Sequence, residues 1–233
     1  MGSMDNDWVE FAELRCEVVH RVAALEPDDV VECMDGTITC YLEDDSEPVV
    51  GRFRVLRVDF VTALNEGFEP AEVLYEGAGD CLPLAGFFAH SVGLIAKELR
   101  EPVPPVPHLL SMMLPTMVGY ASKLLILERI AIAPQYVGHR LGITTARRLI
   151  DMFADETTLV VTNPGWALRN DWYRSDTDPK PDAKAVRELE RHWSRLGFRW
   201  LPATDLWIAS TSGIPTVEQL ADQRHKKGRN LVA

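Results

Sequence analysis

"KLLILERIAIAPQYVGHRLGITTARRLI", residues 123–150, changes its apolar period halfway along, and that change decides the fold. Through Ile132 the stretch is near-continuously apolar, as in a strand buried on both faces at the centre of a sheet. Pro134 stops it, because proline brings no N–H to a ladder. From about Leu141 to Ala154 the period becomes helical: Gly142, Ala146, Leu149, Ile150 and Phe153 fall on one face. A buried strand running through a glycine-containing turn into a helix makes an anion site, since first-turn amides point outward and the helix dipole adds partial positive charge. The turn "APQYVGHRLG", 133–142, is therefore expected to hold a phosphate-like group.

Beyond this stretch, "TTLVVTN" (157–163) reads as a second buried strand, followed by a polar, aromatic loop from Pro164 to about Asp182. Val186, Leu189, Trp193 and Leu196 mark a helix that Gly197 ends, and "DLWIAS" (205–210) supplies a last strand. Toward the N-terminus, Trp8, Phe11, Leu14, Val18, Val22 and Leu25 recur at steps of three and four, which predicts a helix over Asp7–Leu25. "GTITCYLE" (36–43) and "GRFRVLRVDFVTA" (51–63) read as two strands joined by the polar turn "DDSEP". "GDCLPLAGFFAHSVGLIAKELREP" (79–102) reads as a helix capped by Asp80 and closed by a basic turn before Pro102. The proline-rich "EPVPPVPHLLSMMLP" (101–115) is a connector with no assignment. Strands and helices alternate without an internal repeat, so a single α/β domain is expected, its N-terminal half an elaboration rather than a second copy.

Composition narrows the function classes. The 233 residues are 46% apolar, enough for a substantial core. Residues 1–3 read as an expression-tag remnant ahead of Met4. A formal charge of -11 opposes broad phosphate-backbone binding, so no nucleic-acid partner is expected. The basic run "RHKKGR" (224–229) reads as a solvated tail. No apolar run is long enough for a membrane span and no secretory signal is visible, so the expected location is the cytoplasm, with no membrane partner. Cys16, Cys33, Cys40 and Cys81 form no C-x-x-C pair and are expected as buried free thiols. No metal site is expected, because His139 and His192 lack any ligand spacing.

Spacing separates the phosphate-binding turns. Walker A requires G-x-x-x-x-G-K-[ST], yet Gly142 is followed by Ile143 and Thr144, and the dinucleotide fingerprint G-x-G-x-x-G is absent. What remains resembles the pyrophosphate loop of the GNAT superfamily of N-acetyltransferases: Gln or Arg, two residues, Gly, one residue, then Gly or Ala. It often appears as a proline, a few residues, then "RGxGxG". Here Pro134 and Gln135-Tyr136 lead into "VGHRLG", with Val137 at the usual Arg, Gly138 at the first glycine, Arg140 at the middle one and Gly142 at the last. The strand "LERIAI" before the loop and the ending "HWSRLGFRWL" plus "DLWIAS", similar to the family's "YxxLGF" and final strand pair, extend the resemblance over about residues 125–209.

The resemblance implies a mixed, mostly antiparallel sheet flanked by helices. Residues 4–120 would form the N-terminal part of the domain, 121–210 the acyl-CoA-binding core, and 211–233 a basic tail. It also implies acetyl-CoA, or another acyl-CoA, with its pyrophosphate on Val137, Gly138, His139, Arg140, Leu141, Gly142 and Ile143. Main-chain groups of Ile130, Ala131 and Ile132 would pair with the pantetheine arm as though it were another strand. Arg140 either crowds the pyrophosphate or swings outward to bind it. Asn163, at the strand end where the sheet of this family splays open, would meet cofactor or acceptor.

Family chemistry is direct attack of an amine on the thioester, which needs a base and a donor to the leaving thiolate. Glu128 is the expected base: alternation would put it on one sheet face with Ile130 and Ile132, among apolar neighbours that raise a carboxyl pKa. The alternative is a plain ion pair with Arg129, Arg147 or another charge. Where the family often has tyrosine stands Trp193, whose spacing suits core packing. Tyr173 is the expected donor, with His192 and Ser194 as substitutes. Trp166, Trp172 and Tyr173 line an acceptor pocket or form a lid, or the loop packs only on itself. The expected function is acetyl transfer to an unidentified primary amine, with cationic amines favoured by net charge. A homodimer is the assembly considered. The competing readings are a module that holds CoA without turnover and an interaction domain without CoA.

Overall fold

The computed structural model of the chain describes residues 12–19, 26–41, 46–89, 121–167, 183–201, 203–216 and 219. Seven strands make one open sheet: β1 (Ala12–Val19), β2 (Val31–Cys40), β3 (Val49–Asp59), β4 (Lys123–Ile132), β5 (Thr158–Thr162), β6 (Arg199–Trp200) and β7 (Trp207–Ser210). Their order is β1-β2-β3-β4-β5-β7-β6. Every neighbouring pair is antiparallel except β4 and β5, which run parallel. The parallel pair needs a crossover, and α3 (Leu141–Phe153) supplies it. Among the described residues there are also α1 (Phe60–Asn65), α2 (Pro70–Gly77), α4 (Pro164–Ala167) and α5 (Ala183–Arg195). The first three strands share the sheet of the last four, which makes a single α/β domain.

Alternation along the strands sends side chains into two cores. On one face Phe60, Phe88, Val58, Ile126, Val161 and Ile208 pack beneath α1, α2 and residues 79–89. On the other, Phe53, Leu125, Leu127, Ile132, Leu149 and Trp193 pack beneath α3 and α5. Trp193 meets Phe198 edge-on at 5.2 Å, the core role its spacing predicts. Gly197 ends α5 at φ +84, a conformation that an L side chain rarely adopts. No helix among the described residues is long and apolar enough to cross a membrane.

Four sequence expectations are corrected. The predicted N-terminal helix is, over Ala12–Val19, an edge strand paired antiparallel with β2. Leu14 and Cys16 alternate with Glu13, Arg15 and Glu17, and the open edge of β2 selects that period over the helical one. Charged residues on this edge oppose further strand pairing. The strand expected to reach Ala63 stops at Asp59, whose carboxylate accepts the amides of Val61 and Thr62 and caps α1. The helix expected over 79–102 begins as a 3-10 helix, Gly79–Leu84, with Pro83 inside it, before an α-helical stretch at 85–89. Of the four free thiols, Cys40 and Cys81 are buried while Cys16 and Cys33 are only partly so. The connector at 101–115 and the tail at 224–229 lie outside the described residues.

Candidate functional site

The ladder between β4 and β5 runs from Lys123–Thr158 to Leu127–Thr162 and ends there, although β4 continues to Ile132. The divergence begins where β4 is irregular. Opposite β3, Arg54 pairs with Arg129 and Val55 with Leu127, so Glu128 is an extra residue: a β-bulge. The bulge inverts the side-chain phase. Ile126 belongs to one core, whereas Ile130 and Ile132 face the other, so Glu128 does not share a face with them as simple alternation would have it. Instead Glu128 and Arg129 both open onto the face covered by α2 and the 79–84 segment.

Main-chain directions follow from the ladder. Ala133 N–H donates to Val50 O at 2.8 Å, and antiparallel alternation then turns Ala131 toward β3 and the N–H and C=O of Ile130 toward the side vacated by β5. Thr162 Oγ1 donates to Leu127 O at 3.1 Å, closing the last rung. Asn163 Oδ1 accepts Gly165 N–H at 2.7 Å and starts α4. That oxygen is engaged in a turn rather than turned toward a ligand.

The loop after β4 is a 3-10 turn, Pro134–Tyr136, followed by Val137 and Gly138. Gly138 sits at φ +100 with nothing within 4 Å of where a Cβ would be, so backbone conformation rather than crowding calls for glycine. Arg140 is the N-cap of α3 at φ 59, a left-handed conformation, and its side chain makes no capping hydrogen bond. Leu141, Gly142 and Ile143 occupy the first turn of α3, where amides have no acceptor within the helix. A Cβ at Gly142 would make only ordinary contact, 3.7 Å from Ile132 Cγ1. Burial lowers the pKa of His192, in the last turn of α5, and the guanidinium charges of Arg195 and Arg140 lower it further. The helix N-terminus is thus flanked by cations. His139 is half-buried and Val137 exposed.

Behind the bulge lies a cleft of about 490 Å3. Arg54, Asp80, Cys81, Glu128, Arg129 and Trp166 contribute its chemistry. Glu128 Oε2 lies 3.2 Å from Arg54 Nε, but the N–H does not point at it, so the two form an ion pair without an aligned hydrogen bond. The apolar surroundings expected for Glu128 are replaced by this guanidinium. Trp166 is buried and its Nε1 donates to Asp80 Oδ2 at 2.8 Å, making it a fixed wall rather than a lid. Burial, with Asp80 and Glu128 adding to it, pushes the Cys81 thiol up to about 12, which leaves it unreactive as a nucleophile near neutral pH. Asp80 caps no helix; it holds Trp166 in place.

The structure thus brings Glu128, Ile130, Ala131, Ile132, the 137–143 loop and Asn163 to the end of β4 at which β5 departs. Tyr173, like Trp172, lies outside the described residues. Ser194 Oγ is bonded to Glu190 O in α5, as a helix-surface serine. Sequence reading missed Arg54 and Cys81 as cleft residues. Its available signal was the adjacent charges Glu128-Arg129 inside an apolar strand, which break alternation as a bulge does. Among the described residues no group of three His, Cys, Asp or Glu is placed to hold a metal ion. The chain matches no protein-family profile, and no curated protein or solved structure resembles it significantly.

Proposed function

We propose that the chain is a GNAT-like N-acyltransferase that moves an acetyl group from acetyl-CoA to a primary amine. The observation that carries this reading is the bulge at Glu128 with the departure of β5 after Leu127, which leaves β4 from Glu128 to Ile132 unpaired with β5 as it runs toward the N-terminus of α3. An extended amide-bearing arm would pair with Ile130 in that gap, as a strand adds to a sheet edge. Its pyrophosphate would rest on the amides of Leu141, Gly142 and Ile143, beside Arg140. Strand edge, helix N-terminus and cationic flank are the donor set such a molecule requires.

Acetyl-CoA supplies an acetyl thioester. Glu128 holds the acceptor's ammonium at the cleft and takes its proton, directly or through water. The freed nitrogen forms an amide bond to the acetyl carbon as the carbon–sulfur bond breaks, and the proton the nitrogen then sheds, passed directly or through solvent, neutralises the leaving thiolate. A module that holds CoA without turnover is the second reading, favoured by the ion pair that already engages Glu128.

Calorimetric titration of acetyl-CoA into the whole chain tests the first half, with Gly142→Glu as control. That change places a carboxylate in the anion site at a position where a Cβ is accommodated. Gly138→Glu is the poorer probe, because φ +100 would strain the loop whatever the charge. Micromolar binding lost in Gly142→Glu supports the reading. A folded chain that does not bind, or a Gly142→Glu variant that binds as tightly as the parent, overturns it.

A further inference from the structure

We infer that the cleft behind β4 takes a zwitterion, an amino acid with a free carboxylate, rather than a polycationic amine. The inference rests on the acyltransferase reading for the reaction but on the cleft alone for the recognition. Charges in the cleft do not close on themselves. Arg54 is answered by Glu128 at 3.2 Å, and Asp80 accepts from Trp166 at 2.8 Å. Arg129 lines the same cleft, and its Nε is buried with no hydrogen-bond partner among the described residues. Arg129 as a whole is half-buried, and a guanidinium N–H withdrawn from water without an acceptor loses hydration that a bound anion restores. Its planar fork suits a carboxylate.

Position selects the rest of the ligand. Glu128 and Arg129 are consecutive, yet the bulge turns both to one face, so an acid and a base project side by side into one cleft. Glu128 meets Arg54 through Oε2 and is part-exposed on the cleft, where its carboxylate can accept an ammonium. A ligand that satisfies both must carry a cation and an anion a few bonds apart, which is the charge pattern of an amino acid. A polyamine would set a second cation against Arg129. A phosphate ester would set a dianion beside Glu128 and Asp80. Formal net charge, which favours cationic acceptors by steering, acts at long range and is overruled by the local pair.

The test uses the full chain, the common amino acids and their carboxamides, read by calorimetry without acetyl-CoA. At least one amino acid is expected to bind about tenfold or more tightly than its carboxamide, and Arg129→Gln should erase that difference while circular dichroism stays unchanged. Equal binding of acid and amide, a preference that survives Arg129→Gln, or no amino-acid binding at all would overturn the inference. Release of CoA thiol, followed in parallel, separates the two readings. Amino-acid binding without thiol release defeats the acyltransferase while sparing the zwitterion site. Acetylation of carboxylate-free amines alone does the reverse.

Discussion

β4 and β5 are bound together at one end and apart at the other. At the first end, Asp155 accepts from Thr157 N–H and Oγ1 at 2.8 and 2.6 Å and from Thr158 Oγ1 at 3.0 Å, and its other oxygen lies 2.6 Å from Lys123 Nζ. Ser122 and Lys123 amides both donate to Thr157 O, so the first rung is fastened by side chains and main chain together. At the other end, Thr162 makes the last link to Leu127, and beyond it stand Glu128, in an ion pair with Arg54, and Arg129, whose buried Nε has no partner among the described residues. One parallel pair therefore separates its duties along its length. Hydrogen-bonded polar groups fix register at the first end, and at the second the charged groups of Arg54, Glu128 and Arg129 face a cleft instead.

Substitutions at the open end should cost function and leave folding intact. The largest expected effect is that of Glu128→Gln, which removes the proposed proton acceptor while keeping size. Turnover of acetyl-CoA with a working amine should fall about hundredfold or more, with acetyl-CoA affinity within about threefold of the parent. Unchanged turnover in a stopped assay of thiol release would remove Glu128 as the base, whereas acetyl-CoA binding by the parent without thiol release would favour the non-catalytic CoA module. Next is Gly142→Glu, for which acetyl-CoA affinity should drop about hundredfold, since a carboxylate would stand against a pyrophosphate in the same first turn. Its thermal midpoint should hold or rise slightly, because an acid in the first turn favours the helix and glycine does not.

The closed end should behave in the opposite way. Asp155→Ala is expected to cost about 1–2 kcal/mol of stability, the lower part of the range for charged hydrogen bonds because the carboxylate is half exposed. Acetyl-CoA affinity of the folded fraction should be unchanged. Burial raises the Asp155 carboxyl, but donors from Lys123, Thr157 and Thr158 outweigh it and hold the group well below the usual carboxylate range. A depressed folded value means that the contribution is complete above the unfolded value near ~4 and is lost as pH falls through the folded one. The difference between parent and Asp155→Ala in chemical denaturation should therefore be full at neutral pH and shrink in acid. A difference that stayed constant, or grew, would remove the closed end from this account.

How much of this was legible in the sequence divides along the same line. β4 and β5 were readable as continuous apolar runs buried on both faces, and α3 and α5 because each buries a helically periodic face. The segment Ala12–Val19 was misread because Leu14 and Val18 fit a helical step as well as an alternating one, and only the edge of β2 decides between them. The open end was half legible. Glycines and the strand-to-helix step pointed to the loop, but the phase inversion at Glu128 comes from pairing with β3. Arg54 and Asp80 reach the cleft from elements far away in sequence, and nothing local in "GRFRVLRVD" or "GAGDC" marks them.

The smallest expected effect sharpens the comparison by probing the cationic flank of the open end without touching a donor to the ligand. Burial first, then Arg195 and Arg140, lower the pKa of His192, so the ring is neutral near pH 7. A pyrophosphate on the amides of α3 would offset those guanidinium charges and raise that pKa toward its ordinary value near ~6.5. Whenever a ligand raises a pKa, binding takes up protons and tightens as pH falls. Acetyl-CoA affinity should accordingly increase as pH falls from neutral through the imidazole range, and His192→Gln should flatten that slope. Stability has the opposite sign. A depressed folded pKa makes the free protein lose stability as pH falls below about 6.5, and His192→Gln should relieve that loss. Calorimetry and denaturation on the same two proteins read both slopes. If the affinity slope survives His192→Gln, the anion does not lie between α3 and α5, and the open end has lost the group that is supposed to complete it.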